Sequence, residues 1–296
     1  MPEPRGFQYL NNNEETSMGQ VVVITGVADG MGKEAAKLLA AAGDCIAGFD
    51  MNPDGIAALQ QELDALSAHN GAKHYLTTLN IMDRAGVQAF RDEVLARYAQ
   101  VDTVLSNVGI GFFGPFEETD LEAARRCLEI NVIGAASIFQ AFLPGMRQRG
   151  SGKLIAMSSL VGQVPFPFES IYSASKFAIE GMVMSLRYEV APFGIHVALI
   201  EPAQVSTSFA SKIHQLPPEG SPYRERARRF IARDDELIKT APTPQQAGRR
   251  IAAVVRQAKP PFHNQIDFMS TVFLFLNRFL PRWMRDAILL NHMDIK

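Results

Sequence analysis

The chain has little of what would make a disulfide scaffold, a metalloprotein or a nucleic-acid binder. Its 296 residues include only two cysteines, Cys45 and Cys127, both inside apolar-patterned segments. That excludes a cysteine framework and reads as buried thiols in a reducing compartment. The six histidines (His69, His74, His196, His214, His263, His292) show neither metal-ligand spacing nor an obvious serine partner. They read as structural or exposed, and no metal is expected. Neither sign of charge dominates, since 29 Lys and Arg face 31 Asp and Glu. No nucleic-acid partner and no general attraction to membrane follows from that balance. No stretch approaches the ~18 apolar residues of a transmembrane span. The polar segment 1–18 lacks the apolar core of a signal peptide and reads as a flexible extension. A soluble, cytoplasmic protein is the expectation.

What is present is an alternation of strand and helix signals. Val21-Val22-Val23-Ile24 is a continuous apolar run, the pattern of a strand buried on both faces. An alanine-rich helix (33–42), a strand (45–49), a helix (53–67), a strand (74–79) and a helix (84–98) follow. Strand 103–105, a long helix over 121–146 and the buried runs 154–157 and 197–200 complete the rhythm. Each βα unit takes about 25–35 residues, which predicts an α/β fold with a Rossmann-like, doubly wound parallel sheet. Residues 19–269 are expected to form one domain, with a substrate lid at about 206–240 and a helical extension over 270–296.

Two clusters carry chemistry. Gly26, Gly30 and Gly32 lie between the first strand and its helix, where a tight turn lets backbone N–H groups approach a pyrophosphate. Asp50 closes the second strand eighteen residues beyond Gly32, where a carboxylate can accept from both ribose hydroxyls. Asp29 adds a second negative charge beside the loop, so NAD is favoured over NADP. The other cluster is Tyr172 and Lys176, four residues apart and therefore on one helical face. A phenol of pKa roughly 10 is a poor base at neutral pH, and a neighbouring ammonium would lower that value. Ser159, thirteen positions before Tyr172, follows the apolar run 154–157 and falls at the carboxyl end of a strand, where ligands collect in open α/β sheets. Alone, a tyrosine and lysine at this spacing would read as an ordinary helix surface. Beside the glycine loop and Ser159 they read as a proton-transfer site for an alcohol or carbonyl.

With these residues the chain, over about Gln20 to Phe209, resembles the short-chain dehydrogenase/reductase family. Thr25, Gly26, Gly30 and Gly32 match the family's Thr-Gly-x-x-x-Gly-x-Gly loop, and Asn131, Ser159, Tyr172 and Lys176 its catalytic set. The resemblance implies that Tyr172 is general base for oxidation or acid for reduction, and that Ser159 holds the substrate oxygen. It implies that Lys176 lowers the tyrosine pKa and binds ribose, and that Asn131 positions a water linking Lys176 to solvent. Met31, Asn80, Ile81, Asn107, Pro202, Val205 and Thr207 are placed by it around the cofactor. Three positions depart from the family pattern: Val108 is bulkier than the usual alanine, Asn80 replaces an aspartate, and Ala203 replaces a glycine. Segments 111–116, 147–150 and 172–181 look closest to the steroid and retinol dehydrogenase branch, and family members usually pair into dimers or tetramers.

Substrate specificity is expected from an aromatic pocket of Phe112, Phe113, Val164, Phe166 and Phe209, taking a small hydrophobic alcohol or ketone. The alternative for each phenylalanine is core packing. The charges Arg224, Arg226, Arg228 and Arg229 against Asp234, Asp235 and Glu236 read as a solvated helical face. In the extension, Phe273, Leu276, Leu280, Met284 and Ile288 recur at helical spacing near Arg278, Arg282 and Arg285, with Pro281 breaking the helix. This is either a peripheral membrane contact or a packing element. The leading function is NAD-dependent oxidation of a bulky hydrophobic secondary alcohol. The alternatives are a ketone or 3-oxoacyl reductase, and a non-catalytic NAD-binding sensor.

Overall fold

The computed structural model describes residues 19–207, 209, 213 and 215–295. The extension 1–18 and His214 therefore lie outside the described residues. Seven strands form one sheet in the order β3-β2-β1-β4-β5-β6-β7, all pairs parallel. They are β1 (Val21–Thr25), β2 (Cys45–Asp50), β3 (Tyr75–Thr78), β4 (Thr103–Ser106), β5 (Gly152–Met157), β6 (Ile195–Glu201) and β7 (His263–Gln265). The order reverses between β1 and β4, which opens a crevice at the carboxyl ends of those strands. The unbroken apolar runs of β1 and β6 are needed because both faces of the sheet are covered.

On one face pack α1 (Gly30–Ala41), α2 (Pro53–Leu66) and α8 (Pro244–Arg256), joined to the sheet through Leu39, Leu59, Ile251 and Val255. On the other pack α3 (Arg84–Tyr98), the long helix 121–149, and α6 (Ser170–Val190), through Phe90, Ile138, Phe142 and Val183. The ring of Phe90 lies edge-on to both Phe49 and Phe142. Short polar residues start the helices as their chemistry requires. Asp29, Asn52, Asp83 and Asp120 each accept a backbone N–H in the first turn, and Thr243 with Gln246 forms a capping box on α8.

The long helix is three pieces: α4 (Leu121–Leu128), a π-helical turn (Glu129–Ile133) holding Asn131, and α5 (Gly134–Arg149). By length and composition alone Leu121–Arg149 could cross a membrane, which the expectation from apolar runs missed. Its apolar residues face the sheet in part, and 44% of its most apolar window is buried. Strand β7 is another feature not anticipated, because His263-Asn264-Gln265 has no apolar alternation. It is held as an edge strand by register with Leu199, Ile200 and Glu201.

Helix α7 (Arg224–Thr240) carries Arg226, Arg228, Asp235 and Glu236 on a solvated face as expected, but Asp234 departs from that reading. Phe230 is fully buried and Asp234 is 6% exposed, while Arg226 and Arg233 donate to the backbone carbonyls of Ile295 and His292. The C-terminal segment folds as two helices, α9 (Phe268–Phe279) and α10 (Arg282–His292), divided at Pro281 as its ring requires. Phe273, Leu274, Leu289 and Leu290 pack, with Met293 and Ile295, on a third apolar cluster that contains Leu160, Val161, Phe166 and Phe230.

Candidate active site

A cavity of about 490 Å³ fills the crevice, running from the turn after β1 to the space under α7. Its first half is the glycine loop. Gly26 and Gly30 have φ of +66° and +58°, backbone that a side chain strains. Gly32 lies just behind the wall, and a Cβ there would come within 2.5 Å of Asn107 Nδ2 and 2.6 Å of the Gly26 carbonyl oxygen. Asn107 commits its amide to this turn, donating to the carbonyls of Thr25 (3.1 Å) and Gly26 (2.9 Å). The Asp50 carboxylate accepts from the Ala28 and Asn52 amides.

Asp29, Met31, Asp50, Asn80, Ile81, Asn107, Pro202, Val205 and Thr207 border the same cavity as Gly26 and Gly30. The Asn80 carbonyl oxygen accepts locally from the Met82 amide. Val108 leans on the glycine turn, since a Cβ on Gly26 would sit 3.1 Å from it. Ala203 is absent from the described residues with positive φ, so the turn after β6 does not need the glycine it departs from.

Ser159, Tyr172 and Lys176 border the cavity beside this half. The Ser159 hydroxyl donates to the Pro202 carbonyl at 3.2 Å, which ties the ends of β5 and β6 together. Lys176 is 5% exposed, donates to the Met157 carbonyl at 2.9 Å, and lies 5.6 Å from the Tyr172 ring centre. Asn131 stands behind the wall. Its Oδ1 accepts from Ile110 N at 2.8 Å, and its Nδ2 donates to Ile110 O and Ser175 Oγ, both at 2.9 Å. Both amide hydrogens are thus used within the protein. The π turn, a rare distortion that recurs at functional sites, carries this side chain under Lys176.

The electrostatics correct one expectation. Burial raises the Tyr172 phenol well above its usual value, the Glu169 carboxyl adds to the rise, and a hydrogen bond with Ser159 opposes it. Burial also lowers Lys176 to about 8. In this state desolvation sets the phenol, and the tyrosine is held as a neutral acid.

The substrate end differs from the pocket expected. Phe166 and Phe209 border the cavity, and Phe209 lies 5.9 Å from the Tyr172 ring. Phe112, Phe113 and Val164 do not border it. Phe112 is half-buried elsewhere, and Phe113 packs on Phe168 and Phe230 in the third cluster, which also takes Val164. Their places in the wall go to residues with no local signal: Ile213, Ile238, Glu169 and Asp234.

The match to the family model for short chain dehydrogenases covers residues 20–217. The chain belongs to the short-chain dehydrogenase/reductase family. Human 17-beta-hydroxysteroid dehydrogenase type 1 is 32% identical over 253 residues, 81% of this chain and 75% of that protein. A 3-ketodihydrosphingosine reductase of Bacteroides thetaiotaomicron is 27% identical over 272 residues, 91% of this chain and 95% of that protein. Among solved structures, a short-chain dehydrogenase from Streptomyces avermitilis superposes with a TM-score of 0.76 at 29% identity, covering 92% and 96% of the two chains. As a short-chain dehydrogenase/reductase the protein is an oxidoreductase whose cofactor is a nicotinamide dinucleotide, and such enzymes are commonly oligomers acting on small molecules. The residues present fit that cofactor: Gly26 and Gly30 border the cavity in backbone that a side chain would strain, and the N-terminus of α1 opens onto it.

The tertiary fold also assembles a group that residue spacing hides. Glu180 of α6, Glu201 of β6 and His263 of β7 have ligand atoms within 4.8 Å of one another. Glu201 accepts from His263 Nδ1 at 2.9 Å, from Gln265 Nε2 at 2.6 Å and from Gln163 Nε2. Burial beside Glu201 pushes Glu180 up to about 8. One carboxyl group satisfied by amide and imidazole donors, next to a second that burial pushes upward, accounts for the group as a structural network.

Proposed function

We propose that the protein is an NAD-dependent oxidoreductase that moves hydride between NAD and a hydrophobic secondary alcohol or its ketone. The observation that carries this reading is one cavity bordered at one end by the glycine loop and Asp50, and at the other by Ser159, Tyr172 and Lys176. The bound dinucleotide supplies the hydride acceptor or donor and, when oxidised, a ring cation of the sign that favours a phenolate. In ketone reduction Tyr172 Oη gives its proton to the carbonyl oxygen, and the neutral buried phenol is already in that form. In alcohol oxidation the same oxygen takes the hydroxyl proton. Ser159 Oγ holds the substrate oxygen. Lys176, anchored on Met157, holds ribose and stabilises charge on the phenol, and Asn131 braces the floor beneath it.

NAD is proposed over NADP because Asp50 stands where a 2′-phosphate would meet like charge. Among the described residues bordering the cavity, Lys176 is the only Lys or Arg, and it belongs to the catalytic end. The proposed location is a reducing compartment, the cytoplasm, which suits two free thiols. Pairing into dimers or tetramers would use the long helices, where Leu128, Ile133, Phe177, Met184 and Tyr188 are exposed. A peripheral membrane contact is proposed for the two C-terminal helices. Phe268, Phe275, Phe279 and Trp283 are 63–77% exposed there, beside Arg278, Arg282 and Arg285. Aromatic and arginine residues together suit the boundary of an anionic bilayer.

The test is formation of reduced nicotinamide, followed by absorbance, with NAD or NADP and a panel of steroid, sphingoid and aryl alcohols. Tyr172→Phe is expected to lower turnover by about 10²–10⁴-fold while NAD still binds. Binding of NAD without turnover of any alcohol or ketone, or full activity of Tyr172→Phe, would overturn the reading.

A further inference from the structure

Glu169 is the N-cap residue of α6, yet its carboxylate makes no capping bond. Aspartate, asparagine, serine or threonine there would accept a first-turn amide, and the longer glutamate does not. The side chain is 9% exposed and borders the cavity, with no hydrogen bond or ion pair among the described residues. The backbone beside it is held under strain. Phe168 has φ of +63°, rare for a bulky residue. It is locked there by its ring contacts with Phe113 and Phe230 and by Gly114 N donating to its carbonyl at 2.8 Å. Such strain persists only where surroundings over-determine it, and its result here is to turn Glu169 inward. Across the cavity Asp234, 6% exposed, is positioned by Gln204 Nε2 at 3.1 Å. The rest of that end is apolar: Phe166, Phe209, Ile213 and Ile238.

We infer that Glu169, seconded by Asp234, is a subsite for a cationic amine on the substrate, close to the carbon that Tyr172 serves. The inference rests on the oxidoreductase reading above and narrows its substrate class to long-chain amino alcohols and amino ketones. Glu169, the N-cap of α6, lies three positions before Tyr172, so the two side chains stand about one turn apart and both border the cavity. An amine on the carbon next to the carbinol would span that gap. Burial, with the Asp234 charge adding to it, pushes Glu169 up to about 8. An ammonium beside Glu169 would favour its ionised form and pair with it, whereas a carboxylate or phosphate at the same place would be repelled. The apolar remainder of the wall takes the hydrocarbon chain.

The experiment compares, on the NAD-loaded enzyme, a long-chain vicinal amino alcohol with the same alcohol lacking the amine. Hydrogen bonds to charged groups at such a site are worth a factor of roughly 10 to 100. The expected result is a kcat/KM ratio of that size favouring the amine, falling toward one in Glu169→Gln and partly restored in Glu169→Asp. A ratio near one in the wild type, or a ratio that survives in Glu169→Gln, overturns the amine subsite and leaves the oxidoreductase reading standing. If neither alcohol turns over, calorimetry with a long-chain primary amine and the matching primary alcohol decides. Tighter amine binding that Glu169→Gln abolishes supports the subsite while the turnover reading fails; equal binding overturns the subsite.

Discussion

Replacing Glu169 by glutamine removes a buried titrating carboxyl from the folded protein, and the size of the effect follows from where that group titrates. The carboxyl moves from its usual 4.5 to about 8 on folding, driven first by burial and then by Asp234. The folded state therefore holds the proton more tightly than the unfolded chain. Below the unfolded value both states are protonated and nothing is lost. As pH rises from 4.5 toward 8 the unfolded chain ionises first, and stability drains away until the folded state also ionises. At about 1.4 kcal/mol for each pH unit separating the two values, the cost is about 1 kcal/mol at pH 5, 3 at pH 7 and 4 at pH 8. Glutamine carries no such cost, although its amide has a desolvation penalty of its own. The readout is therefore how the difference between Glu169→Gln and wild type changes with pH. Urea unfolding at pH 5, 7 and 8 should show the variant gaining about 3 kcal/mol relative to wild type across that range. Titrating groups that do not interact with Glu169, Glu180 included, are common to both proteins and cancel. Parallel stability curves would refute the reasoning, because they would mean Glu169 ionises in the folded protein as it does in water. A variant more stable and less selective would mark Glu169 as a group kept for binding at the expense of stability.

Three further outcomes are expected. Asp50→Ser should lower the NAD-over-NADP ratio of kcat/KM by at least about tenfold, because it removes both a charge-assisted hydrogen bond to ribose and the repulsion of a 2′-phosphate; an unchanged ratio would place cofactor choice elsewhere. Phe275→Ser with Phe279→Ser should weaken co-sedimentation with vesicles containing anionic lipid without changing activity on a water-soluble substrate. Equal sedimentation, or loss of a dimer on sizing, would assign the two C-terminal helices to another role or to subunit pairing. His263→Gln should keep a hydrogen-bond donor to Glu201 and leave turnover near wild type, whereas His263→Ala should lower thermal stability by about 1 kcal/mol; zinc- or magnesium-dependent stability would contradict the structural reading of that network.

The amino-acid sequence by itself determined the sheet and the cofactor half of the site. Buried parallel strands need continuous apolar runs, and a turn that receives a pyrophosphate needs glycines at fixed offsets. Both are local requirements written in adjacent residues, which is why β1, β2, β4 and β6, Gly26, Gly30 and Asp50 were legible. The Tyr172–Lys176 pair was legible for the same reason, since helical periodicity alone puts both on one face. The tertiary structure decided the rest, because burial and long-range neighbours have no local signature. Phe113 and Val164 read like pocket residues but are taken into the third cluster by Phe230 from a helix more than sixty residues further along. Asp234 sits in a run of charges that looks solvated, and only the packing of Phe230 on the core turns it toward the cavity. The sign of the Tyr172 shift was decided there too. Sequence spacing brought a lysine near a phenol, but depth of burial and a carboxyl three residues away set which effect wins.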